Sequence, residues 1–129
     1  MHEHAGFHAF QSMVASLSFR PEYYNANREK LLGSGGVWGA LEGRIPTHLR
    51  FIQACLGHDI RPHLSEIVAP TLVIHAGEDM ITGPRTTKPL EEGLPNSVGV
   101  SMDRVAHVVA GKEEKIVFGE ILFDFLNAH

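Results

Sequence analysis

Asp79 and His107 carry most of the chemistry this sequence can offer. Asp79 closes the stretch Ala69-Pro-Thr-Leu-Val-Ile-His-Ala-Gly-Glu-Asp79, in which a short β-branched run feeds a loop containing Gly77. His107 follows one strand later, in Ala106-His107-Val108. A carboxylate beside an imidazole holds it in one tautomer and stabilises the imidazolium. The imidazole can then take a proton from an attacking hydroxyl and return it to the leaving group. Each residue also has a plainer reading: Asp is common in turns such as the one after Gly77-Glu78, and His107 can be an ordinary loop histidine. Glu78 is adjacent, but the spacing favours Asp79 as the acid. His75, at the end of its strand, reads as structural, although it could border a pocket.

A nucleophile does not accompany the pair. No Gly-x-Ser-x-Gly, nor an equivalent Asp or Cys elbow, occurs in the sequence. The nearest approach, Gly33-Ser34-Gly35-Gly36, lacks the preceding strand and following helix that give an elbow its exposed, strained geometry, so Ser34 is read as a linker residue. Cys55 falls on an apolar helical stripe and is expected in packing. The His4/His8 pair, one helical turn apart, has the side chains of a metal site. The zinc-protease pattern His-Glu-x-x-His is absent, and neither a metal nor another cofactor is expected.

The elements that must position Asp79 and His107 follow from periodicity. Phe10, Met13, Val14 and Leu17 recur at helical spacing and predict a helix over about 6–18 with that face buried. Pro21 suits a first helical turn, Tyr24, Leu31 and Leu32 make a second stripe, and Gly33 fits a stop. Residues 33–39 read as a flexible connection. A third helix starts near Pro46, is expected to bury Leu49, Ile52, Cys55 and Leu56, and ends at Gly57. Beyond Pro62 the pattern changes. Thr71 to His75 is a nearly continuous apolar run of the kind a buried parallel strand needs, with Pro70 suited to its start. A loop to Pro84, a short helix from about Arg85 to Gly93, a turn at Pro95-Asn96 and a second strand over 97–102 come next. A loop over 103–109 holds His107, and an amphipathic helix over about 112–127 carries Ile116, Val117, Ile121, Leu122, Phe125 and Leu126. Helices alternating with two strands predict an α/β protein with a parallel βαβα unit. Parallel strands end on the same side, where ligands of open α/β sheets bind, so the two loops can bring Asp79 and His107 together.

Composition narrows the partners. The chain has 129 residues, 43% of them hydrophobic, and a formal net charge of −4, enough to bury a core. Its pI near 6.1 argues against nucleic acid and against an anionic membrane surface. No apolar run approaches the roughly 20 residues of a membrane span. Residues 1–10 lack the basic-then-apolar layout of a secretory signal, and one cysteine permits no internal disulfide, which fits a cytoplasmic location.

The stretch from Pro70 to Pro84, Pro-Thr-Leu-Val-Ile-His-Ala-Gly-Glu-Asp-Met-Ile-Thr-Gly-Pro, resembles the acid loop of the α/β-hydrolase family, with its apolar strand, Gly-x-x-Asp, apolar pair and Pro. Ala76 stands where the family usually has a first Gly, Asp79 falls on the catalytic acid, and Pro84 closes the loop one residue late. Leu94-Pro95-Asn96 resembles the turn into the family's last strand, and Ala106-His107 looks like its catalytic histidine. Phe123-Asp-Phe-Leu126 is similar to the final helix, and Asp59 to Ile67 resembles the linker returning from the cap. Residues before Asp59 match loosely, as the helical cap over the substrate.

That family orders its triad as nucleophile, acid, histidine, so the resemblance makes this chain a C-terminal portion carrying the last two members. It implies a partial α/β-hydrolase fold, with a helical cap-like segment over 1–62 and a core segment over 63–129 built on a two-stranded parallel unit. The implied activity is hydrolysis of small ester, lactone or related acyl substrates by a nucleophile–His–Asp mechanism, the nucleophile lying outside this chain. Trp38 and Phe51 become candidate apolar walls of the substrate pocket, with core packing an equal alternative. A two-stranded parallel sheet is marginal alone, so the edge beside Thr71–His75 calls for cover by the chain's own helices, a second copy or a separate N-terminal hydrolase half. The alternative function is a non-catalytic binding or oligomerisation module that kept the cap and half-sheet. A neighbouring gene ending in a strand–Gly-x-Ser-x-Gly–helix unit would favour the hydrolase.

Overall fold

The computed structural model describes residues 2–129, with side chains described from residue 6 onward apart from Ile45 and Pro84. Among the described residues five helices and two strands are connected in the order α1 (His2–Ser18), α2 (Pro21–Leu31), α3 (Ile45–Leu56), β1 (Thr71–Ala76), α4 (Pro84–Gly93), β2 (Ser97–Met102) and α5 (Lys112–Ala128). Short 3-10 turns at Gly39–Leu41 and Arg61–Glu66 flank α3. The chain divides into two compact units. One gathers the residues through Ser16 with Pro21–Asp59, the other Leu17–Arg20 with Ile60–His129. The division therefore falls three residues before the 62/63 boundary read from the sequence, and a four-residue segment of the first half belongs to the second unit.

In the first unit, α1 is interrupted at Gly6, whose φ of 75° only glycine adopts readily. Its buried line differs from the expected one. Gln11 and Ala15 are fully buried, whereas Met13 is 36% exposed and Phe10 and Val14 are half-buried. The reason is hydrogen bonding. Gln11 Nε2 donates to the carbonyls of Gly33 (2.9 Å) and Val37 (2.7 Å), and its Oε1 accepts the Gly33 N–H at 2.8 Å. A buried amide with its groups satisfied is stable where an unpaired one would be costly. The connection after α2, expected to be flexible, is thus organised around Gln11, and successive turns link Gly36 N–H to Gly33 O and Gly39 N–H to Gly36 O. Ser34 lies exposed within these turns, with no strand before it among the described residues.

Helix α3 ends at Gly57 as expected, but its apolar stripe is not buried. Leu49 and Ile52 are each 43% exposed, Leu56 is 83% exposed, and Cys55 is also exposed. Amphipathic spacing fixes which face of a helix is apolar and leaves open what covers it.

In the second unit, β1 and β2 pair in parallel, in register from Thr71↔Ser97 to Ala76↔Met102. The ladder is extended by Thr71 N–H to Asn96 O (2.9 Å) and Gly77 N–H to Met102 O (3.0 Å). Leu64, Val73, Met102, Val105 and Ala106 form the apolar core, with Phe19 from the imported segment also buried. Helix α4 begins with Pro at its first turn and packs against β1, β2 and the Arg61–Glu66 turn. Helix α5 carries the apolar residues read from the sequence, yet none of its residues is buried, and Ile116, Val117 and Leu126 are 45–57% exposed.

His75 is the buried polar residue of this sheet face, at 8% exposure. Its Nε2 donates to Glu91 Oε2 at 2.7 Å, and its Nδ1 lies 2.6 Å from Thr87 Oγ1. Thr87 and Glu91 are one helical turn apart on α4, so both reach the same ring. Gly99 on β2 leaves room for this, because a Cβ there would overlap the Glu91 carboxylate. His75 therefore holds helix to sheet, and it also lines a cavity of about 260 Å³ with Lys88, Glu91 and Asp103. No helix among the described residues is long and apolar enough to cross a membrane.

Candidate active site

The two strands end side by side at Ala76 and Met102, and the loops leaving them close on each other. Gly77 is where they touch. A Cβ at that position would sit 2.6 Å from the Asp103 carbonyl oxygen, so only glycine lets the acid loop pass this close to the histidine loop. One residue on, Glu78 N–H donates to Val105 O at 2.9 Å. The histidine loop is anchored by burial of Val105 and Ala106, at 4% and 2% exposure. It is also held by Val105 N–H to Met102 O (3.2 Å) and Val108 N–H to Ser18 O (2.9 Å).

These anchors bring together the two residues singled out by spacing. His107 Nδ1 donates to Asp79 Oδ2 at 3.1 Å. Asp79 is also a turn residue in the full sense: its Oδ1 accepts the N–H groups of Ile81 (2.8 Å) and Thr82 (3.0 Å), and its Oδ2 accepts the Thr82 hydroxyl at 2.6 Å. The turn reading and the acid reading are therefore compatible, since one oxygen builds the turn and the other faces the imidazole.

The Asp79 side chain is 9% exposed and that of His107 35%. Burial opposes ionisation of Asp79 but is outweighed by the bonds from the Thr82 hydroxyl, the Thr82 N–H, His107 and the Ile81 N–H, which hold the carboxyl well below its ordinary value of 3.8. An ionised carboxylate only accepts hydrogen bonds, which places the imidazole proton on Nδ1 and leaves a basic lone pair on Nε2. That nitrogen engages no hydroxyl or thiol among the described residues.

Glu78, beside the acid, is turned to a different partner: Arg20 Nε donates to its Oε2 at 3.1 Å. The candidate pocket walls Trp38 and Phe51 lie in the first unit. Trp38 is half-buried in a left-handed conformation (φ 57°) just before the Gly39–Leu41 turn. Phe51 is 65% exposed on α3 and lines a shallow cavity with Thr47, Arg50 and Ala54. A cavity of about 400 Å³ beside Arg20, Arg104 and Glu113 is lined by neither Asp79 nor His107. No cluster of three metal-ligating side chains occurs among the described residues. The His4 side chain, half of the pair with metal-ligand spacing, lies outside them.

Sequence reasoning missed Thr82, Ser18 and Arg20. Thr82 was within reach, because an Asp followed three residues later by Thr is a local pattern for side chain–backbone turns. Ser18 and Arg20 had no such signal, since their partners lie far along the chain.

Comparison with protein-family models, with curated proteins and with solved structures finds no match to this chain.

Proposed function

We propose that this chain is the C-terminal portion of an α/β-hydrolase, supplying the acid and the base for cleavage of small ester, lactone or related acyl substrates. The observation that carries the reading is the 3.1 Å approach of His107 Nδ1 to Asp79 Oδ2 at the common end of two parallel strands. In this reading Nε2 of His107 takes the proton of an incoming hydroxyl, the imidazolium is stabilised by Asp79, and the proton passes to the leaving group. In this reading the attacking group and the oxyanion donors lie outside residues 1–129, on an N-terminal part that continues the sheet along β1. Support comes from the order of the motifs, from the ionised state of Asp79 and from the loop geometry that places both side chains at one sheet edge.

The test is hydrolysis of p-nitrophenyl acetate by the purified chain, alone and mixed with the segment encoded immediately upstream, expressed on its own, provided that it bears a strand–nucleophile–helix unit. Alone, the chain gives no more than trace turnover. The mixture is active, and His107→Ala abolishes that activity. A burst of product from the chain alone that disappears in Ser34→Ala would place the nucleophile within it and overturn this division of labour.

A further inference from the structure

The segment Ser18-Phe19-Arg20 reaches into the second unit from the other end of the sequence and contacts both loops of the candidate site. Ser18 is fully buried and Phe19 is 6% exposed, so the segment is fixed by packing. The Ser18 carbonyl accepts the N–H of Val108, the residue next to His107, at 2.9 Å. Arg20 Nε donates to Glu78 Oε2, next to Asp79, at 3.1 Å, and its Nη1 donates to Glu114 Oε1 in the first turn of α5 at 3.2 Å. Its side chain is only 16% exposed, against 41% for Glu78 and 21% for Glu114.

We propose that Arg20 is a positioning residue that sets the separation of the acid and base loops, acting on Asp79 through Glu78 and on the end of the histidine loop through Glu114. The proposal rests on the reading of Asp79 and His107 as a working pair. The chemistry requires arginine. A guanidinium presents donors in a planar fork, so its Nε and Nη1 can hold two carboxylates in fixed, divergent directions, whereas an ammonium is a single point charge on a flexible stem. Three further anchors then act on the loop pair: the Ser18 carbonyl behind His107, Glu78 beside Asp79, and Glu114 where the histidine loop enters α5. Without the guanidinium, Glu78 and Glu114 lose their common counter-ion. The acid loop then keeps its backbone bonds from Gly77 and Glu78 but loses the side-chain tie that fixes it against α5.

The experiment follows the low-field proton of His107 Nδ1 by NMR in the full chain. This signal exists only while Nδ1 donates to Asp79. Its assignment is checked by its loss in Asp79→Asn. In Arg20→Gln the proton should exchange with water at least about tenfold faster, at a temperature where circular dichroism shows the variant folded. Arg20→Lys should recover only part of the protection, since it restores the charge without the fork. Unchanged exchange in a folded Arg20→Gln, or full recovery in Arg20→Lys, would overturn the positioning role. If Arg20→Gln does not fold, Glu78→Gln removes the acid-loop arm alone: faster exchange there supports the proposal and unchanged exchange overturns it. A wild-type chain that lacks the protected proton would mean the Asp79–His107 pair itself has failed, and the positioning role falls with it. Proton protection that responds to Arg20 in a protein with no complemented hydrolysis would sink only the hydrolase reading.

Discussion

The Thr82 hydroxyl lies 2.6 Å from Asp79 Oδ2, the same oxygen that faces His107. Asp79 is thereby aimed by its own turn, because its other oxygen is occupied by two backbone N–H groups of that turn. Such preorganisation is what a residue needs if it is to hold an imbalance of charge on a neighbouring ring without rearranging.

Asp79→Asn tests that orientation. The amide oxygen can still accept from Ile81 and Thr82, so the turn should survive and the chain should remain folded. The amide nitrogen then faces His107 as a donor, which forces Nδ1 to accept and moves the ring proton to Nε2. Complemented hydrolysis should fall by about three to four orders of magnitude, with a modest fall in melting temperature because the charge-assisted bonds to the carboxylate are lost. Retained activity in a folded Asp79→Asn would remove Asp79 from the mechanism.

The acid limb of stability supplies a second prediction. Asp79 has its carboxyl pushed down in the folded state. Its contribution is therefore complete above the unfolded value near 3.8 and is lost as pH falls below it. Thr82→Val removes the hydroxyl bond and should cost about 1 kcal/mol at neutral pH. Because that bond favours the ionised carboxylate, the gap between wild type and Thr82→Val should close in strong acid. Urea midpoints across the acid range would show it, and a gap independent of pH would contradict the assignment.

What the sequence revealed and what it concealed divide by range. The strands Thr71–Ala76 and Ser97–Met102, the turn at Asp79 and the helix from Lys112 are written in local runs and punctuation, and they fall within a residue or so of expectation. The pairing of Asp79 with His107 was legible because parallel strands must end together. The buried face of α1 was not, because Gln11 is polar and its burial depends on carbonyls of Gly33 and Val37. The exposure of Leu56 and Phe51 was equally hidden, since periodicity does not name a partner. Arg20 was illegible for the same reason: its carboxylates lie 58 and 94 residues away.

Gly77→Ala probes the close passage of the two loops. The added methyl would lie 2.6 Å from the Asp103 carbonyl oxygen and 2.8 Å from its Cα, both backbone atoms that cannot rotate aside. The variant should lose about 1–3 kcal/mol and should also lose the low-field Nδ1 proton of His107. The same methyl placed at Gly57, whose nearest neighbours would be 3.9 Å away, should be far better tolerated. Equal melting temperatures for wild type and Gly77→Ala would show that the loops are not as closely apposed as described.

Self-association is the last prediction. Helix α3 exposes Leu49, Phe51, Ile52 and Leu56, and the sheet has two strands among the described residues, which leaves strand edges able to pair with another chain. Large apolar side chains left exposed together on one helix are the kind of surface that favours association. The isolated chain should therefore scatter as more than a 14.2 kDa particle at micromolar concentration. Phe51→Glu together with Leu56→Lys should shift it toward the monomer if the helix face dominates, since charges there cannot be buried without cost. If those changes leave the mass unaltered, the strand edge is the remaining route, and Ile74→Pro would be expected to block it by removing a ladder donor. A clean monomer with a cooperative melting transition in the unaltered chain would defeat the prediction, because it would show that the exposed stripe and the short sheet are stable without a partner.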